Sequence, residues 1–337
     1  MAKPAAMGLT VPLDGVPLGD HPAILREAEE AGYTDAWSLE VDGVDGFTPL
    51  AVAAQATARM RLGTAIANVY TRGPGTLAIS AAGVAELAPG RFVLGLGTGS
   101  DVIVERWNSG RFARPLQRMR DMVTVLRAAL AGERVSLDLP TLRVAGLRLS
   151  RPPQSEIPIY VAALRERMLS LAGELADGVI LNWLAASDVP RCVAVAREAA
   201  RRAGRDPEAL RVVARLFVYV DPPDDELEIA MRRHITGYLT VPVYRAFHEW
   251  LGRGEVLAPM QQAWTAGDRR AAVAAVPEQV MRDLLIAGTP EERRAQVAAY
   301  VEAGVDVPVV HLISRERDPD RRREVFRAAI RELAPRG

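Results

Sequence analysis

The chain has 337 residues, 49% of them hydrophobic, and its 42 Lys and Arg balance 42 Asp and Glu. That apolar content is enough for a large buried core, and zero net charge leaves no global field favouring nucleic acid or an acidic membrane surface. One cysteine, Cys192, excludes an internal disulfide. No apolar run is long enough to span a bilayer, and the N-terminus lacks the basic-then-apolar order of a secretory signal, so a soluble cytoplasmic protein is expected.

The first strand is expected near Met7. Asp20 as N-cap and Pro22 in the first turn then open a helix whose Ile24, Leu25, Ala28 and Ala31 share one face. Gly32 stops it, and 34–39 reads as the second strand. Further strands are expected to begin near Leu62, Phe92, Ile159, Val179, Val212 and Val307. In the middle, 169–176 is helical and breaks at Asp177-Gly178. Cys192 then falls at helical spacing with Val189, Val193 and Ala196, the pattern of a packed core thiol. Near the end, Thr289, Pro290 and Glu292 form a capping box, and the helix carrying Val297 and Val301 stops at Gly304.

Apolar strands alternating with amphipathic helices give a parallel sheet covered on its outer face. Eight of them predict an α/β fold, a (β/α)8 TIM barrel forming one domain over residues 1–337. Two excursions interrupt the repeat. Residues 135–147 read as a short hairpin after helix 4, and 224–288 as a helical insertion after strand 7, without a strand and placed to serve as a lid.

Active sites of such barrels form at the C-terminal strand ends. Strand four runs into Gly95-Leu96-Gly97-Thr98-Gly99-Ser100. Its glycines let backbone N–H groups approach a phosphate or ring, although a tight strand-to-helix turn or a methyl-donor site would use the same residues. Asn68, after strand three, offers both a donor and an acceptor to the polar edge of a heterocycle, or else caps the strand. Arg72 suits either an anion or an ion pair. The helix start at Leu164, Arg165, Glu166, Arg167 and Met168 combines two guanidiniums with a helix dipole, an anion site or a charged surface. Histidines 21, 234, 248 and 311 show no metal-ligand spacing, so no metal is expected. Absence of a Gly-x-Ser-x-Gly elbow speaks against a hydrolase.

Three stretches together resemble the luciferase-like superfamily, in its branch using the deazaflavin coenzyme F420. They are 95–100 continuing to Trp107, Leu171-Ala172-Gly173-Glu174-Leu175-Ala176-Asp177-Gly178-Val179, and the run from Tyr238 to Trp264. The resemblance implies a non-prolyl cis peptide at Ala65-Ile66 behind the ring, with Asn68 contacting the ring or the chain beyond it. It puts Thr98, Gly99 and Ser100 beside the ribityl-phosphate side, with Gly97 also cofactor-binding, residues 164–168 at the phosphate, and Glu40 near the ring. Two departures stand out: relatives often carry Gly-Pro where this chain has Arg165-Glu166, and sugar-phosphate enzymes carry His where it has Val41.

The expected chemistry is hydride transfer between the deazaflavin C5 and a small organic substrate, the cofactor carrying the redox step. Glu40 and Asp45 are the candidate proton donors or acceptors. Trp107, Trp183, Tyr238 and Tyr244 wall an apolar substrate pocket, or simply pack. The resemblance also implies a homodimer, the commonest oligomer. Rival expectations are an FMN-dependent monooxygenase on the same barrel, a methyltransferase, and a cofactor-binding barrel without turnover.

Overall fold

The structure is a computed structural model describing residues 6–335. Eight parallel strands close into a barrel: β1 (Gly8–Val11), β2 (Asp35–Ser38), β3 (Arg61–Thr64), β4 (Phe92–Gly97), β5 (Ile159–Ala162), β6 (Gly178–Asn182), β7 (Arg211–Tyr219) and β8 (Val307–Ile313). Neighbours pair in sequence order, and β8 closes the ring on β1 through Gly8 opposite Val309 and Leu9 opposite Val310. All eight strand starts expected from sequence lie within a residue of those observed.

Alternation along the strands sorts the side chains. Leu216 and Val218 of β7 and Val310 and Leu312 of β8 point outward into the main apolar core under the helices. Trp37, Val93, Tyr160, Ile180, Val213, Val307 and Val309 point inward and fill the barrel, with Trp37 stacked on Tyr160 at 5.9 Å. Cys192 is buried in the outer core.

The helix after β1, α1 (His21–Glu30), ends where Gly32 turns at φ +101° and Tyr33 N donates to Ala28 O. Asp20 does not cap it: its carboxylate pairs with Arg323 at 2.8 Å, so a long-range ion pair replaces the expected local bond. The capping box does form on the helix Pro290–Glu302, with Thr289 N donating to Glu292 Oε2 at 2.7 Å and Glu292 N to Thr289 Oγ1 at 3.3 Å.

The hairpin is present as Val135–Asp138 paired antiparallel with Arg143–Leu147. The later excursion holds five helices, Asp225–Leu239, Pro242–Trp250, Gly254–Thr265, Arg269–Ala274 and Glu278–Leu284. It also holds a strand that sequence reading missed: Leu285–Ile286 pairs in parallel with Phe217 and Val218 of β7. Two residues are too few to show a period of 2. No helix among the described residues is long and apolar enough to cross a membrane.

Candidate functional site at the barrel mouth

Past β3 the chain makes a cis peptide at Ala65-Ile66, the bond the resemblance implies, and then the short strand Ala67–Asn68, paired with Leu96 and Gly97. The glycines of β4 are shaped by this segment. A Cβ on Gly95 would stand 1.8 Å from Thr64 O, one on Gly97 2.4 Å from Ile66 Cγ1, and one on Gly99 2.3 Å from Asn68 Nδ2. Gly99 also sits at φ +63°, where an L side chain is strained. The glycine run therefore first allows two backbone segments to lie together. Thr98, Gly99 and Ser100 remain solvent-accessible above them.

Asn68 is 1% exposed. Its Oδ1 accepts from Tyr70 N at 2.8 Å and Thr71 N at 3.3 Å, which fixes the amide, while its Nδ2 has no partner. A buried donor left unmade is costly unless a ligand uses it.

Glu40 is half-buried behind the same segment. Its Oε1 accepts from Arg72 Nε at 2.8 Å and Gly46 N at 3.3 Å, and its Oε2 from Asn68 N at 3.2 Å. Arg72 thus makes an ion pair, and Glu40 holds backbone as well as charge. Asp45 opens the helix Thr48–Ala56, accepting from Phe47 N at 2.8 Å, Thr48 N at 3.1 Å and the Thr48 hydroxyl. Burial pushes its pKa up, but those hydrogen bonds and Arg72 pull it below the usual carboxylate range. That makes it a capping carboxylate, poorly suited to donating a proton.

Across the mouth, the helix Glu166–Leu175 begins with no side-chain cap. Arg165, Glu166 and Arg167 are exposed, and neither arginine has a carboxylate within 4.0 Å among the described residues. Leu164 and Met168 pack on the outer core. An uncapped helix start with two unpaired guanidiniums can meet an anion.

The third side of the mouth is aromatic. Trp183, just after β6 and at φ +55°, lies 4.4 Å from both Phe217 and Tyr238 and 6.4 Å from Tyr244. Trp183 and Phe217 are buried, so Tyr238 and Tyr244 are the accessible members. Trp107 is set apart from them, 54% exposed on the π-helical turn Val102–Trp107.

Sequence reading passed over a polar cluster beside this wall. Arg215 of β7 points inward beneath Tyr238 and Tyr244, near Asp14, and His311 of β8 lies 3.4 Å from Asp14. His234 is 3.0 Å from the Tyr219 hydroxyl. Burial lowers His311 to about 4, with Arg215 adding to the effect, and lowers His234 to about 4, with His311 and Arg215 adding. Both rings are neutral at neutral pH. The available signal was alternation: Val213, Arg215 and Phe217 share one face of β7, which places a cation inside the barrel.

The luciferase-like monooxygenase family model matches residues 3–307. The chain belongs to that family. A 5,10-methylenetetrahydromethanopterin reductase of Methanolobus tindarius is 28% identical over 297 residues, covering 88% of this chain and 90% of that one. The coenzyme F420 dependent tetrahydromethanopterin reductase of Methanopyrus kandleri superposes with a TM-score of 0.77 at 23% identity, covering 96% of this chain and 98% of that one. The oxygenating constituent of 3,6-diketocamphane monooxygenase from Pseudomonas putida, in complex with FMN, does so at 0.68 and 16% identity, covering 98% and 97%. Family membership accounts for the closed barrel, and these two structural likenesses carry the fold alone.

Proposed function

We propose that the protein is a coenzyme F420-dependent oxidoreductase acting on a small organic substrate at the barrel mouth. The observation that carries this is the unpartnered, buried Asn68 Nδ2 beside Gly99, a donor fixed in place and waiting for the polar edge of a ring. When bound, the deazaflavin would supply two-electron hydride chemistry at its C5. Asn68 would donate to the ring, and the accessible backbone at 98–100 would approach the side chain beyond it. Arg165 and Arg167 would meet the phosphate at the free helix start, in place of the glycine backbone approach common in relatives. Glu40 acts on Asn68 through its backbone and on Arg72 through charge, so it is a positioning residue in this reading. A relative from Mycobacterium tuberculosis described as a putative coenzyme F420-dependent oxidoreductase, 28% identical over 334 residues and covering 90% of this chain and 94% of that one, supports the cofactor class. A homodimer belongs to the same reading; Ile79 and Leu87, 63% and 42% exposed on the helix Pro74–Leu87, supply an apolar surface for it.

The test is a fluorescence titration with F420, FMN and NADPH side by side. F420 should bind most tightly. Asn68→Asp keeps the acceptor for Tyr70 and Thr71 but replaces the free donor, so it should weaken F420 binding about ten-fold or more in protein that is still folded, with some thermal stability lost to the buried carboxylate. Preference for FMN would move the protein to monooxygenase chemistry on the same barrel. Binding of none of the three would sink the oxidoreductase reading.

A further inference from the structure

Among the described residues, several buried polar atoms without a partner belong to the barrel mouth: Thr10 Oγ1, Asn68 Nδ2, Asn182 Oδ1, Trp183 Nε1 and Arg215 Nε. Asn68 is absorbed by the cofactor reading above. Arg215 is not, and it is the one carrying a full charge.

Three arginines drawn into this fold have carboxylate partners, Arg61 with Asp35 at 2.7 Å, Arg72 with Glu40 at 2.5 Å and Arg293 with Glu332 at 2.8 Å, while Arg91 and Arg118 donate to backbone carbonyls such as Met60 O and Thr141 O. No carboxylate of the described residues lies within 4.0 Å of Arg215. Its nearest acid, Asp14, is engaged with His311 at 3.4 Å and is itself largely exposed. The groups that surround Arg215 are Asp14, His311, His234, Tyr244, Tyr238, which shares a side-chain hydrogen bond with it, and Asn182, which faces it across the β6–β7 register. The guanidinium packs over Phe217 at 4.8 Å, a contact that stabilises a cation without neutralising it. A half-buried guanidinium whose Nε is covered and unmade is destabilising unless something else completes it.

We propose that Arg215 is the anion-binding residue of the substrate site, and that the substrate carries a single carboxylate on an apolar body lying against Tyr238 and Tyr244. A planar carboxylate matches the fork of one guanidinium, and its single charge matches the one guanidinium on this aromatic side of the mouth. A phosphate dianion would need a second cation, and His234 and His311 are both held neutral there. The inference rests on the reading of the mouth as a hydride-transfer site, with Arg215 orienting the molecule opposite the cofactor.

Calorimetric titration of the protein with benzoate and with benzamide, which differ only in charge and hydrogen bonding at one end, tests it. Benzoate should bind about ten-fold more tightly or better. Arg215→Gln and Arg215→Met should abolish that preference, Arg215→Lys should keep part of it, and F420 affinity should stay within about two-fold throughout. Should Arg215→Gln or Arg215→Met fail to fold, the wild-type preference and Arg215→Lys still decide the matter. Equal binding of the two probes, binding of neither, or a preference that survives Arg215→Gln overturns the proposal. So does loss of F420 binding in the variants with benzoate preference intact, which would make Arg215 a cofactor contact. A benzoate preference without any F420 binding would instead leave the anion site standing and remove the function proposed above.

Discussion

Lowering the pH from 7 to 5 should cost the fold several kcal/mol, well before its carboxylates titrate. His248 and His311 are buried, and each is held at about 4 in the folded state: His248 by burial and then by Arg253, His311 by burial and then by Arg215. The unfolded chain binds those protons near the ordinary value of about 6.5. Because the folded pKa is depressed, the stability is whole above the unfolded value and drains away as pH falls towards the folded one. At pH 5 that amounts to about 2 kcal/mol for each buried histidine. His234, only half-buried and facing His311, adds to the same slope. Against a total stability of about 5–15 kcal/mol, the loss is large. Urea unfolding at pH 7, 6 and 5 measures it. The His248 ring makes no close hydrogen bond and its polar contact is with the Trp183 backbone, so His248→Phe should flatten the slope with a smaller loss at pH 7 than the slope it removes. A midpoint that stays constant from pH 7 to 5 would contradict the account.

Gly95→Ala should be the most damaging single methyl in the barrel. The new Cβ would fall 1.8 Å from Thr64 O and 2.7 Å from Ile180 Cδ1, the first of them backbone. Thr64 cannot easily yield, since its hydroxyl donates to Gly95 O at 2.7 Å and accepts from Gly95 N at 2.8 Å. Overpacking of this kind costs about 3 kcal/mol or more, and any relief must push Thr64 outward, dragging the Ala65-Ile66 turn and Asn68 with it. Thermal unfolding and F420 titration should therefore fall together. Gly83→Ala is the control: nothing lies within 4 Å of its Cβ, and in the interior of the helix Pro74–Leu87 it should raise stability by about 0.5–1 kcal/mol. A Gly95→Ala protein that melts with the wild type would refute the packing argument.

The contrast between Gly95 and Thr289 shows which features sequence could reveal. The capping box at Thr289, the stop at Gly32 and the eight strand starts are local patterns, decided by residues within one turn or by alternation, so they could be read directly. The glycines of β4 looked like a phosphate loop because their spacing carries no record of the segment packed against them. Asp20 looked like an N-cap because Arg323, its actual partner, lies 303 positions away. Of the candidate site, Asn68 was legible as a strand-end amide. Its free donor was not, since which half of an amide is spent on backbone depends on how the turn closes. Arg215 was hidden by the habit of reading charge as surface, although the alternation of β7 placed it inside.

The Leu285–Ile286 strand and the excursion it anchors bear on how such a protein can change over generations. Trp183, Phe217 and Tyr219 of the mouth cluster with Leu227, Met231, Ile235 and Leu257 of the excursion, separately from the apolar body that holds the barrel and its helices together. Substitutions drifting through those helices would reshape the aromatic side of the mouth while leaving the residues around Asn68 and Gly99 untouched. Inheritance of one half and divergence of the other would then need no compromise in the scaffold between them.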